Sequence, residues 1–199
     1  MKCCKKIFLS LFFVFAVSFC FAKNFDLDEF HRVNTIESDF EMRTLYSFSK
    51  QPIISGGKLY FKKPDLIKWE YLYPAANRGG FLFEKKKILS WTFTNNGVKE
   101  IADISKSRQA KGALFILNKF LNMDITALEK IYTVETVKNS MIFYPKKSAG
   151  SLEKIEVYLQ ENMPAVQRII IFNEYGDKTE IYFTEIKING EIAQNAFDI

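Results

Sequence analysis

The stretch Gly56–Pro74, GGKLYFKKPDLIKWEYLYP, carries the clearest alternation in the chain. Leu59, Phe61 and Lys63 face one way while Lys58, Tyr60 and Lys62 face the other; beyond Pro64-Asp65, Ile67, Trp69 and Tyr71 oppose Lys68 and Glu70. Successive side chains of a strand reverse face, so this pattern predicts two half-buried antiparallel strands joined by a Pro-containing turn.

The same period of two extends in both directions. Toward the N-terminus, Phe40, Met42, Thr44, Tyr46 and Phe48 share a face, and Pro52, Gly56 and Gly57 supply turn chemistry. Toward the C-terminus, Gly79-Gly80 precedes Phe81-Leu82-Phe83. Leu89, Trp91 and Phe93 then alternate with Ser90, Thr92 and Thr94 before Asn95-Asn96-Gly97, a strong hairpin signal. Further on, Ile155, Val157 and Leu159 oppose Lys154, Glu156 and Tyr158, and segments 166–173 and 179–188 flank a Tyr175-Gly176-Asp177 turn.

Two segments break the pattern. Phe25–Ile36 reads as a short amphipathic helix with Asp26, Asp28 and Glu29 in its first turn. Between Asp103 and Tyr132, Ala113, Leu114, Leu117, Phe120 and Leu121 recur at three and four residues, and Asp124 can cap a second short helix bearing Ile125 and Leu128. Many strands with turns at short intervals predict a mainly β fold, a barrel or strongly curved sheet, with too few helices to cover both faces.

The chain has 199 residues, 28 Lys plus Arg, 23 Asp plus Glu, one His and three Cys. Met1–Lys6 is basic, Ile7–Phe21 is an apolar run of about 15 residues, shorter than the roughly 20 of a bilayer-spanning helix, and Cys20-Phe21-Ala22 places small residues at a cleavage site. Residues 1–22 are therefore expected to be a signal peptide cleaved after Ala22, and 23–199 a single domain. Without that segment the chain loses three basic and no acidic side chains, leaving a net charge of +2, which gives no reason to expect nucleic-acid binding. All three Cys, at 3, 4 and 20, leave with it, so neither a disulfide nor a thiol chemistry is available. Val17-Ser18-Phe19-Cys20 loosely resembles an acylation signal, but Phe19 stands where a small residue belongs.

Catalytic and metal-binding patterns are lacking. His31 is the lone histidine, with Asp28 one helical turn before it, a spacing typical of surface ion pairs. Gly79-Gly80 lacks the Lys-Ser/Thr of a phosphate loop, and the acidic pairs Asp26/Asp28 and Glu153/Glu156 read as surface charge. No enzyme, cofactor or metal is expected. The excess is in apolar and aromatic strand face, which describes a filled core or a cavity equally well.

Gly56–Pro74 resembles the best-marked segment of the LolA family of periplasmic lipoprotein carriers: a Gly, an alternating strand, a basic residue before Pro, then an apolar-x-Trp strand. Ile181–Phe197, IYFTEIKINGEIAQNAF, looks like the family's closing strand, Asn turn and terminal Phe. The resemblance implies an open, strongly curved antiparallel sheet, an incomplete β-barrel, lidded by helices over an apolar cavity. It also implies a monomeric periplasmic carrier taking acylated lipoproteins from an inner-membrane lipoprotein-releasing transporter to an outer-membrane acceptor. Two rivals share the fold: a LolB-like membrane-anchored receptor acylated at Cys20, and a lipid-sensing envelope module.

On that basis Leu59, Phe61, Ile67, Trp69, Leu89, Trp91 and Phe93 are expected to line the acyl cavity, with helix 108–121 as a mobile lid whose carbonyls are latched by Lys63. The family commonly has Arg at that position and a Phe three residues after the Pro, where this chain has Ile67. A lysine offers one ammonium in place of a planar fork of donors.

Overall fold

The computed structural model describes residues 27–147 and 151–199. The expected signal segment, its cleavage site and Phe25 lie outside the described residues. The strands are β1 Thr35–Leu45, β2 Ile53–Lys62, β3 Leu66–Tyr73, β4 Gly79–Glu84, β5 Lys87–Phe93, β6 Lys99–Asp103, β7 Tyr132–Val137, β8 Ser140–Pro145, β9 Leu152–Leu159, β10 Val166–Asn173 and β11 Lys178–Ile188, of which β7 and β8 were not anticipated from the sequence. They form one antiparallel sheet in the order β6-β5-β4-β3-β2-β1-β11-β10-β9-β8-β7, which does not close into a barrel.

Hairpins connect neighbouring strands, with Gly97 at φ +75° and Gly176 at φ +84° in two of the turns. The exception joins the two edges. From β6 the chain passes through α2 (Arg108–Leu121) and α3 (Ile125–Leu128) before entering β7. The helical segment thus bridges the gap left by the unpaired edges.

Register makes one face of the sheet continuously apolar. Leu59 lies opposite Trp69 and Phe61 opposite Ile67; Trp69 and Ile67 in turn face Phe81 and Phe83. Across β1, Phe40 sits between Gly57 and Phe183. Farther along, Ile169 pairs with Val157, and Val157 with Met141. Against this face pack Phe30, Phe120, Leu121 and Leu128 from the helices. Each such side chain contributes about 1.5–3 kcal/mol through burial, and no disulfide is needed to hold them.

Both mid-chain helices are capped, α3 by the expected Asp124 and α2 by Ser107, which was not singled out from the sequence. The Ser107 hydroxyl accepts from the Ala110 N–H at 3.2 Å, and the Asp124 carboxylate accepts from the Ala127 N–H at 3.1 Å. The N-terminal helix, α1 (Leu27–His31), is shorter than the expected Phe25–Ile36. Thr35 and Ile36 belong to β1 instead, paired with Lys62 and Phe61, because the alternation through Phe40 already begins there.

Candidate functional site

The inward faces of β1–β3 are almost completely filled. Leu59, Phe61, Ile67 and Trp69 are at most 4% exposed. Beneath Phe30 of α1 and Leu121 of α2 only about 10 Å³ remains, bounded also by Ile36, Ser38, Leu59 and Phe183. That is barely room for one water, and a mostly apolar lining gives it too few partners to stay.

Usable space lies on either side of α2. One groove, about 370 Å³, runs over Tyr71, Phe81, Ser90 and Thr92 on the sheet, with Ala110, Ala113, Leu114 and Leu117 of α2 as its wall. The other, about 490 Å³, is bounded by Pro64, Phe83, Ile88, Phe115 and Asn118, with Asp65, Lys86, Lys111 and Lys119 at its rim. Both volumes fall in the range of small-ligand sites, roughly 300–1,000 Å³.

The structure thus brings together four of the seven residues expected to line a cavity and separates the other three. Leu89, Trp91 and Phe93 alternate onto the outer face, although Trp91 still borders the 370 Å³ groove beside Gly80. Lys85 and Lys86 form a two-residue turn in the left-handed region, at φ +47° and +81°, which pairs Glu84 with Lys87 and therefore Phe83 with Ile88. Ile88, Ser90 and Thr92 consequently face inward. Trp91 is still buried, at 2% exposure, because it covers Gly80 on the outer side, with the Lys68 and Lys99 ammonium groups each 5.6 Å from its ring. The more apolar triplet of β5 is therefore the outer one, contrary to the expectation. Counting across the Lys85-Lys86 turn would have shown it, but nothing in Lys-Lys announces a tight turn of this kind, which ordinarily draws Asn and Gly.

Lys63 does bond helix carbonyls, in a different helix from the one expected. Its ammonium donates to the carbonyl oxygens of His31 at 2.8 Å and Phe30 at 3.3 Å, at the C-terminal end of α1, where a cation also suits the helix dipole. Burial lowers the pKa of the Lys63 amine. The next residue reaches the other helix: the Pro64 carbonyl accepts from Asn118 Nδ2 of α2 at 3.2 Å. Adjacent residues of the β2–β3 turn therefore touch both helices, and among the described residues this is α2's hydrogen bond to that turn.

Two buried polar atoms on the inward face, Ser38 Oγ and Trp69 Nε1, have no hydrogen-bond partner among the described residues. Burial raises the pKa of the Tyr71 phenol; the neighbouring Trp69 indole opposes that shift without reaching hydrogen-bond geometry. Among the described residues no cluster of His, Cys, Asp and Glu suits a metal ion, and no helix is long and apolar enough to cross a membrane.

Comparison with known proteins agrees with this architecture. The profile of the family described as "Outer membrane lipoprotein carrier protein LolA" matches residues 31–199. An outer-membrane lipoprotein carrier protein of Francisella tularensis subsp. novicida is 21% identical over 196 residues, covering 98% of this chain and 92% of its own. The corresponding protein of F. tularensis subsp. tularensis is 22% identical over the same length. Among solved structures, an uncharacterized conserved protein from Thermus thermophilus superposes with a TM-score of 0.51 at 10% identity, covering 87% of this chain and 90% of that one. A chain of the Pseudomonas aeruginosa MucA/MucB complex also gives 0.51, at 14% identity, covering 87% of this chain and 58% of that one. At such identities these two superpositions speak for the fold. The open eleven-stranded sheet, its helical bridge and the match over residues 31–199 together place this chain in the LolA family of outer membrane lipoprotein carrier proteins.

Proposed function

We propose that this chain is a non-enzymatic carrier, monomeric and periplasmic after cleavage of residues 1–22. In this reading it shelters the acyl chains of lipoproteins between an inner-membrane transporter and an outer-membrane acceptor. The observation that carries the proposal is α2 itself. It covers an apolar sheet face, leaves a largely apolar groove of about 370 Å³ along one side, and is tied to the β2–β3 turn by the Asn118–Pro64 hydrogen bond.

Energetics supply the reason for such a device. Burial of a CH₂ is worth about 0.8 kcal/mol, so an acyl chain of about 15 carbons would cost on the order of 12 kcal/mol to carry naked through water. The filled interior corresponds to the empty carrier. Leu114, Phe120 and Leu121 occupy apolar surface that a guest's chains would cover if α2 swung outward. A guest shifts that equilibrium by the difference between its burial and theirs. The receiving end requires that this difference stay modest.

Leu59, Phe61, Ile67 and Trp69 form the deep wall of the proposed site, reached when α2 moves; Tyr71, Phe81, Ser90 and Thr92 form the wall already accessible. The test is to express the full chain with its own export signal and to examine the exported protein by native mass spectrometry, alongside depletion in its host. Copurifying acylated protein, with lipoproteins stranded at the inner membrane on depletion, is the expected result. An N-terminus acylated at Cys20 would indicate a receptor instead, and unaltered lipoprotein sorting on depletion would end the carrier reading.

A further inference from the structure

The two grooves beside α2 differ in charge. Arg78 is the charged residue lining the 370 Å³ groove, whereas the 490 Å³ groove has Lys86, Lys111 and Lys119 against Asp65. Its floor is apolar: Phe83 and Ile88 from the sheet, Pro64 from the turn, and Phe115 from the helix, 51% exposed although its ring is large. Lys119 is engaged by Asp124 at 2.8 Å, and its ammonium lies 5.4 Å from the Phe115 ring. Among the described residues the side-chain ammonium groups of Lys86 and Lys111 have no hydrogen-bond or ion-pair partner.

A second feature concerns how Lys86 comes to the rim. Lys85 and Lys86 occupy consecutive left-handed positions, a conformation that disfavours residues with a Cβ and that Asn-Gly would adopt at less cost. Glycine takes the left-handed position in the next hairpin, where Gly97 has φ +75°, whereas Lys138 takes it at φ +51° in the β7–β8 turn. In the β4–β5 turn this conformation brings Lys86 to the rim of the cleft.

An apolar floor whose mouth holds two unpaired ammonium groups and one carboxylate, Asp65, keeps a net positive charge and is complementary to a molecule with a fatty tail and an anionic head. We propose that the groove between α2 and the β4–β5 turn binds a single-chain anionic amphiphile, its tail on Phe83, Ile88 and Phe115 and its phosphate or carboxylate between Lys86 and Lys111. The site is separate from the groove assigned to lipoprotein acyl chains, and it stands whether or not that assignment does. Phosphate and carboxylate heads share the required chemistry, since an ammonium acts as a point charge toward either.

The test uses three probes, the detergents below their micellar concentrations: dodecyl phosphate, dodecyl maltoside and inorganic phosphate, titrated calorimetrically into the purified protein with residue assignment by amide NMR. Dodecyl phosphate is expected to bind about tenfold more tightly than dodecyl maltoside, as two exposed charge contacts allow, with shifts centred on Phe83, Lys86 and Phe115. Inorganic phosphate alone should bind weakly, because it leaves the apolar floor uncovered. The double variant Lys86→Gln and Lys111→Gln should bring dodecyl phosphate down to the affinity of dodecyl maltoside. Phe115→Ser should weaken both detergents alike. Equal affinity for the two detergents in the wild type, an unchanged preference in the double variant, or phosphate binding as tightly as dodecyl phosphate would each overturn the proposal. Failure of lipoprotein loading with a preserved head-group preference would instead remove the carrier reading alone.

Discussion

Lys63 Nζ donates to the His31 carbonyl at 2.8 Å, tying the β2–β3 turn to the C-terminal end of α1, while the adjacent Pro64 carbonyl receives Asn118 of α2. One turn thereby sets the positions of both helices over the apolar face. Lys63→Leu removes the donor but keeps the stem, so the sheet should fold. The His31 and Phe30 carbonyls then lose a charged partner, at about 1–3 kcal/mol. In a protein of this size that is a fall in Tm of roughly 2–4 °C per kcal/mol. Calorimetry checks it; an unchanged Tm would mean that the two hydrogen bonds contribute nothing.

The same lysine has a pH signature. Burial holds its amine below the ordinary value of 10.5, so between the folded and unfolded values the unfolded chain binds more protons than the folded one. Stability from this group therefore increases with pH across that alkaline interval, and its protonated form carries a desolvation cost below it. Comparing urea midpoints for the wild type and Lys63→Met through the interval should show a slope, relative to the variant, that is positive. A relative slope of zero or of opposite sign would contradict the buried placement.

A probe of guest binding must avoid the filled core. Ile67 is fully buried between Phe61 and Phe83, so Ile67→Glu would strand a carboxylate at a cost of several kcal/mol, a large part of a total near 5–15 kcal/mol. Its expected outcome is loss of soluble protein, which says nothing of cargo. Ser90→Trp is the informative substitution. Ser90 lines the 370 Å³ groove and is half-buried, so an indole there should occupy guest space with a change in stability of about 1 kcal/mol or less. Acyl-probe affinity should fall about tenfold, equivalent to about 1.4 kcal/mol. Undiminished uptake would place the guest elsewhere.

How much of this could be read in the sequence depended on whether the deciding interaction was local. The faces of β1 through Phe40, Met42 and Thr44 and of β2–β3 from Lys58 onward, the extent of α2 and the Asp124 cap follow from periodicity and residue type and were legible. Gly56 and Gly57, by contrast, read as turn but pair inside β2, Tyr46 and Phe48 lie beyond the end of β1, and the Ser107 cap was not singled out. Residues 132–145 were not legible either: the strands β7 and β8 join at Lys138-Asn139, with Lys138 at φ +51°, a turn without glycine or proline. The inner face of β5 escapes a reading of periodicity because alternation fixes which residues travel together, whereas inside and outside are set by pairing with β4. Lys63 stands out by its neighbour Pro64, but which helix it bonds depends on how α1 crosses the end of β2, a matter of tertiary packing.

Trp91 separates the two faces experimentally. Its indole fills the outer side above Gly80, and Trp91→Ala should cost about 3–5 kcal/mol as a core truncation. Gly80→Ala should be damaging by the opposite route, since a Cβ there would collide with the Trp69 carbonyl and the Trp91 ring. Because Trp91 pairs with Gly80 on the outer side and meets the groove at its border, acyl-probe affinity per folded molecule should change less in Trp91→Phe than in Ser90→Trp. A fall comparable to that of Ser90→Trp would return Trp91 to the cavity lining.

The α2–α3 corner should respond to acid through Asp124. That carboxylate receives the Lys119 ammonium at 2.8 Å and caps α3 through the Ala127 N–H, and both interactions need its charged or acceptor form. Its pKa is lowered, chiefly by the Lys119 hydrogen bond, from the ordinary 3.8. A depressed carboxylate contributes stability that is present above the unfolded value and lost as pH falls through the folded one, so the corner should loosen below pH 3.8 and not at mildly acidic pH. Asp124→Asn keeps a capping oxygen but removes the charge, and should abolish that acid-dependent step while lowering stability at neutral pH by about 0.3–1 kcal/mol. Amide exchange at Ala127 and Leu128 reports the event directly. Faster exchange already at about pH 5 in the wild type, or the same acid step in Asp124→Asn, would assign the corner's stability to packing of Leu128 and not to the Asp124 charge.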